Sequence, residues 1–194
     1  ETFGDLIVTQ NTTELTVSSA SEEWTYDGKA HTKYVYTVTF GEETHTVTIA
    51  EGEVEGKVEL NTGDVVTITP AAAAKITHVS ENTVSNTFTW DVENPTYYTK
   101  GEDTYGSLKI NKKAVTLTSG TATKEYDGTA LTNEAVEGQN ANGLTVETGW
   151  VEGEGATYEF TGTRTDVGGS GLKENVFTKT AKEGTDFNDY SFTE

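Results

Sequence analysis

The feature that most constrains this chain is an internal repeat: Tyr26-Asp27-Gly28 returns as Tyr126-Asp127-Gly128, 100 positions later and in phase with its surroundings. Leu15 to Thr32 aligns with Val115 to Thr132 without a gap, and seven of the eighteen pairs are identical. Several mismatches keep the residue type, as in Leu15/Val115 and Val17/Leu117. A repeat of this length means modules in series, and such modules are most often spacers or binding arrays. The 194 residues therefore divide into two modules of roughly 100 residues each, each long enough for a modest core.

The residues that fill the modules point to strands. Hydrophobic residues are 33% of the chain, aromatics 10%, and Thr occupies 38 positions. Thr forms strands and tolerates water, which suits sheets with one wet face. Tyr34, Tyr36, Val38 and Phe40 alternate with mostly Thr over Lys33 to Phe40, the period-2 pattern of a half-buried strand. Gly41-Glu42-Glu43 turns the chain into Thr44 to Ala50, predicting a hairpin. Further strands are expected at Gly56 to Leu60, Asp64 to Thr69, Lys75 to Val79, Asn86 to Val92, Thr96 to Thr99, Ala114 to Thr118, Leu144 to Glu147, Thr157 to Thr161 and Asn175 to Thr180. Only Pro70 to Lys75 could start a helix, and the β-branched Ile76-Thr77-His78-Val79 follows at once. The expected fold is all-β, two tandem antiparallel β-sandwich modules of immunoglobulin-like type. A β-grasp is the alternative, but it needs a packed helix.

Thr2-Phe3-Gly4-Asp5-Leu6-Ile7-Val8 has the pattern of Thr104-Tyr105-Gly106-Ser107-Leu108-Lys109-Ile110, which ends the first module. Residues 1–9 thus read as the closing strand of a preceding repeat, 10–111 as module 1, and 112–194 as module 2 without its closing strand. An open sheet edge is expected in module 2, which residues 2–9 of a neighbouring copy would fill by strand addition.

Acidic residues outnumber basic ones 32 to 13, for a net charge of −19. That excludes the clustered positive field that nucleic-acid binding needs. No apolar run approaches the roughly 20 residues of a membrane-spanning helix, so no membrane insertion of this segment is expected. Cys is absent, which removes disulfides and thiolate metal sites.

In Tyr-Asp-Gly, Asp can accept backbone hydrogen bonds and Gly supplies a positive φ, while Tyr covers the core edge. Tyr26, Asp27, Gly28, Tyr126, Asp127 and Gly128 are accordingly expected to be structural turns. Tyr26→Ala and Tyr126→Ala should each loosen a module by a few kcal/mol, as large-to-small aromatic changes do at buried sites.

No catalytic residues, cofactor or metal ligands are expected. His31, His45 and His78 have no metal-ligand spacing, and nothing resembles a nucleophile elbow or phosphate loop. Glu51, Glu53, Glu55 and Glu59, and separately Glu183, Asp186 and Asp189, form acidic clusters without the ordered spacing of a calcium loop. An isopeptide crosslink would need Lys109, Lys112, Lys113 or Lys124 to meet an Asn such as Asn175 beside a buried carboxyl. Trp24 aligns with Lys124 and Trp90 with Lys179, while Trp150 lies outside the matched segments. The repeat plan requires none of these Trp residues. Together with Tyr97 they are candidates for stacking on sugar rings, or else they plug module-specific cores.

Lys124-Glu125-Tyr126-Asp127-Gly128-Thr129-Ala130-Leu131-Thr132, Gly162-Thr163-Arg164-Thr165-Asp166-Val167-Gly168 and the Thr-Tyr-Gly-x-Leu-x-Ile closing stretch resemble the tandem YDG and MBG-type repeats of large bacterial surface proteins. The likeness is close in module 2 and looser in module 1, where His78 stands in the place of Asp166. It implies an exported or secreted protein, placed at the cell surface, with no catalytic residues to carry over. The expected function is that of a stalk or spacer repeat in an adhesin-like protein, with neighbouring modules as partners. The alternative is a module that binds host glycans or glycoproteins through exposed aromatics.

Overall fold

The computed structural model describes residues 2–168 and 173–193. Among them the chain is β-rich, with several sheets, and helix is confined to four three-residue 3-10 turns. It divides into two compact units: Glu1–Trp24 with Lys29–Ile110, and Thr25–Gly28 with Asn111–Glu194. The first Tyr-Asp-Gly turn therefore belongs to unit 2.

In chain order the strands up to the end of unit 1 are β1 (Glu14–Ser19), β2 (Glu22–Thr25), β3 (Val35–Phe40), β4 (Glu43–Thr48), β5 (Gly56–Glu59), β6 (Val65–Pro70), β7 (Thr83–Ser85), β8 (Phe88–Val92), β9 (Thr99–Lys100) and β10 (Ser107–Asn111). They form sheets in the orders β4-β3-β1-β9, β5-β6-β8 and β2-β10-β7. β3 and β4 make the expected hairpin, paired from Val35↔Thr48 to Phe40↔Glu43. β1 runs antiparallel to β3 with Leu15 opposite Phe40 and Val17 opposite Val38. This register puts Leu15, Val17, Tyr36 and Val38 on one buried face, where they share a core with Val66, Ile68, Phe88 and Val92 of β5-β6-β8.

Unit 2 carries β11 (Lys113–Thr118), β12 (Val146–Thr148), β13 (Ala156–Phe160), β14 (Phe177–Ala181) and β15 (Tyr190–Thr193). β12-β11-β15 make one sheet and β13-β14 a two-stranded ribbon. Val115, Leu117, Leu144, Ala156 and Tyr190 are buried.

Several expectations need correction. The sheets are mixed rather than purely antiparallel, because β1 pairs in parallel with β9 and β11 with β15. Each parallel pair joins an early strand of the module to a late one, across the long connection that parallel pairing demands. Pro70 ends β6, and Ala71–Ala74 close a turn by Ala74 N–H donating to Ala71 O at 2.9 Å instead of starting a helix. Of the strand expected at Lys75 to Val79 only an Ile76↔His31 bridge forms, before a 3-10 turn at Val79–Glu81. Pro95 opens another 3-10 turn through Tyr97, which shortens the strand expected at Thr96 to Thr99. Residues 2–9 form no strand.

Candidate functional site

The two Tyr-Asp-Gly turns share their backbone. Gly28 has φ +78° and Gly128 φ +80°, the left-handed region that glycine enters without steric cost. In the second turn Asp127 Oδ1 accepts from the Thr129 N–H at 2.9 Å and the Thr129 hydroxyl at 2.8 Å, while Lys124 Nζ donates to it at 2.9 Å. The Lys124 bond first, then those of Thr129, hold the Asp127 carboxyl well below the usual carboxylate range. This is an Asx turn closed by a cation.

Their tyrosines differ. Tyr26 is 3% exposed and Tyr126 63%. Tyr26 O–H donates to Glu154 Oε1 at 2.8 Å, and Tyr190 O–H donates to Glu154 Oε2, also at 2.8 Å. The two rings meet edge to face at 5.5 Å. Burial first, then the bond to Glu154, pushes both phenols well above their ordinary value. One carboxylate thus clamps two phenols inside unit 2. The equal role expected for the two tyrosines is corrected accordingly: Tyr26 is a buried anchor and Tyr126 a surface side chain, because only Tyr26 meets a partner ring and an acceptor.

Glu154 is not alone in serving tyrosines, and nothing in the sequence marks out Glu154 or the carboxylates that do the same. Tyr98 O–H donates to Asp64 Oδ2 at 2.5 Å in unit 1, and Tyr158 O–H to Glu147 Oε1 at 2.8 Å in unit 2. Glu147 Oε2 also accepts from the amides of Asn140 and Asn142. Burial would raise its pKa, but the bonds from Asn142, Tyr158 and Asn140 outweigh that and lower it. Alternation of acid and aromatic residues gives no local signal for such pairs, since their members lie 11 to 128 residues apart.

The Trp residues are half-buried, each with its own neighbours. Trp24 stacks on His31 at 4.9 Å. Trp90 donates its indole N–H to Asp103 at 2.7 Å, with Lys100 Nζ 4.2 Å above its ring. Trp150 packs against Phe187, Tyr190 and Phe192. Trp24 and Trp90 lie on different sheets of unit 1, on β2 and β8, and Trp150 lies in unit 2. Tyr97 is exposed.

Glu51, Glu53, Glu55 and Glu59 are all exposed, and Glu55 pairs with Lys57 at 2.8 Å. Asp186 caps a 3-10 turn by accepting from Asn188 N–H, while Asp189 is buried. His45 pairs with Glu43, and the Glu81 carboxylate accepts from the backbone N–H groups of Thr77 and His78. Among the described residues no three His, Asp or Glu side chains are grouped to hold a metal ion. Among them also, no helix is long and apolar enough to cross a membrane. Lys109 pairs with Glu23, Lys124 is held by Asp127, and the Asn175 amide donates to Gly120 O and Asn133 Oδ1.

Unit 2 has an open groove of about 770 Å³ that includes Ser119, Gly120, Asn175, Val176 and Phe177, with Lys124, Arg164 and Lys173 also on its walls. Leu131, Val136, Val176 and Phe177 are its apolar lining, beside several Thr residues and Asn175. Comparison with known protein families, with curated proteins and with solved structures found no match for this chain.

Proposed function

We propose that this chain is a non-catalytic stalk or spacer repeat of a bacterial adhesin-like surface protein, its two units being variants of one immunoglobulin-like sandwich module. The observation that carries this reading is where the convergent polar groups go. Glu154, Glu147 and Asp64 each accept tyrosine hydroxyls within one unit, so these carboxylates brace the fold of their own unit. A spacer needs only modules that stay folded, and its function is length and stiffness. The resemblance to YDG and MBG-type repeats supports the cell-surface location. A net charge of −19 keeps a dense array soluble and self-repelling.

A glycan-binding module is the second reading, favoured by one feature, the exposed ring of Tyr97. A glycan and mucin binding screen, with and without calcium, separates the two. Silence from the folded chain is the expected outcome. Reproducible binding that disappears in Tyr97→Ala would replace the spacer with a lectin-like adhesin.

A further inference from the structure

The opening and closing strands of unit 1 lie side by side. β1 and β2 open the unit and β9 and β10 close it, and a ladder of contacts joins the two runs with partner numbers that rise together. Asn11 N–H donates to Tyr97 O at 2.9 Å, and the Thr99 hydroxyl donates to Asn11 O, also at 2.9 Å. Glu14 and Leu15 then pair with Thr99 and Lys100, and Gly101 N–H donates to Leu15 O at 3.0 Å. Thr104 N–H donates to Val17 O at 3.2 Å, and Thr104 O accepts from Ser19 N–H at 3.0 Å. Ser19 Oγ accepts from Gly106 N–H and Ser21 Oγ from Ser107 N–H, both at 2.9 Å, and Lys109 pairs with Glu23. The two runs are therefore parallel from Asn11 to Glu23.

Neither run is a free edge. β1 lies between β3 and β9, and β10 between β2 and β7. Leu15 and Val17 on β1 and Leu108 and Ile110 on β10 are all at most 1% exposed. The closest approach is at Gly106, where a Cβ would come within 2.3 Å of Ala20 O. Only glycine lets the two backbones pass at this distance.

Parallel pairing decides how such a ladder meets force. Tension along the chain pulls β1 from its N-terminal end and β10 from its C-terminal end. In parallel strands these are opposite ends, so the pull lies along the strands and strains every rung at once. Drawing two neighbouring ends apart opens the rungs one after another instead. Resistance to force is set by the unfolding rate rather than by equilibrium stability, so the direction of pull matters even when the contacts are the same.

We propose that unit 1 is a mechanical lock, in which the parallel runs 11–23 and 97–109 resist end-to-end tension by shear. Ser19 and Ser21 are its side-chain fasteners, since each holds a backbone N–H of the closing run beside the opening one. The inference rests on the spacer reading for the source of the tension, a stalk being drawn out between its anchor and what it holds.

The chain has no Cys, so thiols for pulling handles are placed at chosen positions. Thr9, Thr96 and Lys112 are exposed, and cysteines there keep the parent melting curve. In the 194-residue chain, Thr9→Cys with Lys112→Cys pulls the two runs from opposite ends, and Thr9→Cys with Thr96→Cys pulls them at neighbouring ends. Unfolding rates are compared at one constant force. The expected result is unfolding roughly a hundredfold slower under the end-to-end pull, because several rungs worth about two- to tenfold each in rate must yield together. A difference below about tenfold, which one hydrogen bond accounts for, overturns the proposal, as does slower unfolding when neighbouring ends are pulled. Ser21→Ala, at an exposed site, speeds end-to-end unfolding about two- to tenfold; an unchanged rate overturns its role. The glycan screen separates this proposal from the spacer reading. Directional unfolding in a chain that binds glycans keeps the lock and overturns the spacer, and equal rates in a chain that binds none do the reverse.

Discussion

The two copies of the repeat treat the same stretch differently. In unit 1 the groove beside Ser19 and Asn86 is filled by the chain's own Thr104 to Ile110, and β2 and β7 are strands because β10 lies between them. In unit 2 the equivalent groove beside Ser119 and Asn175 is open, and residues 122–125 and 173–174, the equivalents of β2 and of Val84 and Ser85 in β7, are not strands. The tyrosines divide the other way, Tyr26 being buried against Glu154 and Tyr190 while Tyr126 is exposed. A repeat motif specifies a local conformation, and its energetic weight depends on what else reaches it.

The largest test of that contrast is Tyr26→Ala beside Tyr126→Ala. The first should cost about 3–5 kcal/mol, as for other buried aromatics, and the loss should appear in the unit that holds residues 111–193, even though Tyr26 lies early in the chain. The second should fall within about 0.5 kcal/mol of the parent. Denaturation followed separately through Trp90 and Trp150 resolves the two units, which need not unfold in one step. Equal losses would break the comparison. Leu108→Ala beside Leu6→Ala is the next in size: about 2–5 kcal/mol from unit 1 for the buried residue, and under about 0.5 kcal/mol for its exposed counterpart in the isolated chain.

Tyr26→Phe sharpens the first test by removing only the hydroxyl, and leaves one Glu154 oxygen without that donor. An effect of about 1–3 kcal/mol is expected, readable as a lower denaturation midpoint of unit 2.

Alkaline titration ranks the units. Burial first raises Tyr26, Tyr158 and Tyr190 in unit 2 far above the ordinary phenol value of 10, and raises Tyr36 in unit 1 to about 12. Because these folded values exceed the unfolded one, the stability they confer is complete below pH 10. It falls as pH rises through about 12 for Tyr36 and higher for the other three. Unit 2, with three such phenols on two carboxylates, should lose more stability across that window. Tyrosinate absorbance recorded beside the unfolding signal tests the order.

The smallest expected difference between paired variants is at the turn glycines. Gly128→Ala forces a left-handed residue into open space and should cost about 1–2 kcal/mol. Gly28→Ala adds a Cβ at 3.1 Å from Val151, so its loss should be the larger of the pair in a thermal melt.

Much of the fold was legible because the signals are local. The alternation over Tyr34 to Phe40 identifies a strand with one buried face, and Gly28 and Gly128 mark turns, since each depends on neighbouring residues alone. Pro95 and Ile76-Val79 show the limit: both lie in β-prone stretches, yet a proline ring and a backbone bridge to His31 gave turns instead. β2, β7 and β15 were not anticipated, because such short edge segments become strands only when a partner from elsewhere in the chain arrives.

The sequence by itself determined the β-rich class, the 100-residue spacing of the Tyr-Asp-Gly turns, their left-handed glycines and the kinship of Thr2–Val8 with Thr104–Ile110. Only the tertiary structure decided that Glu154 clamps Tyr26 and Tyr190, that the three Trp residues are held by separate neighbours, and that one of two equivalent grooves is open. The first group follows from steric limits within a few bonds. The second depends on which distant surfaces meet, and identical motifs leave that undecided.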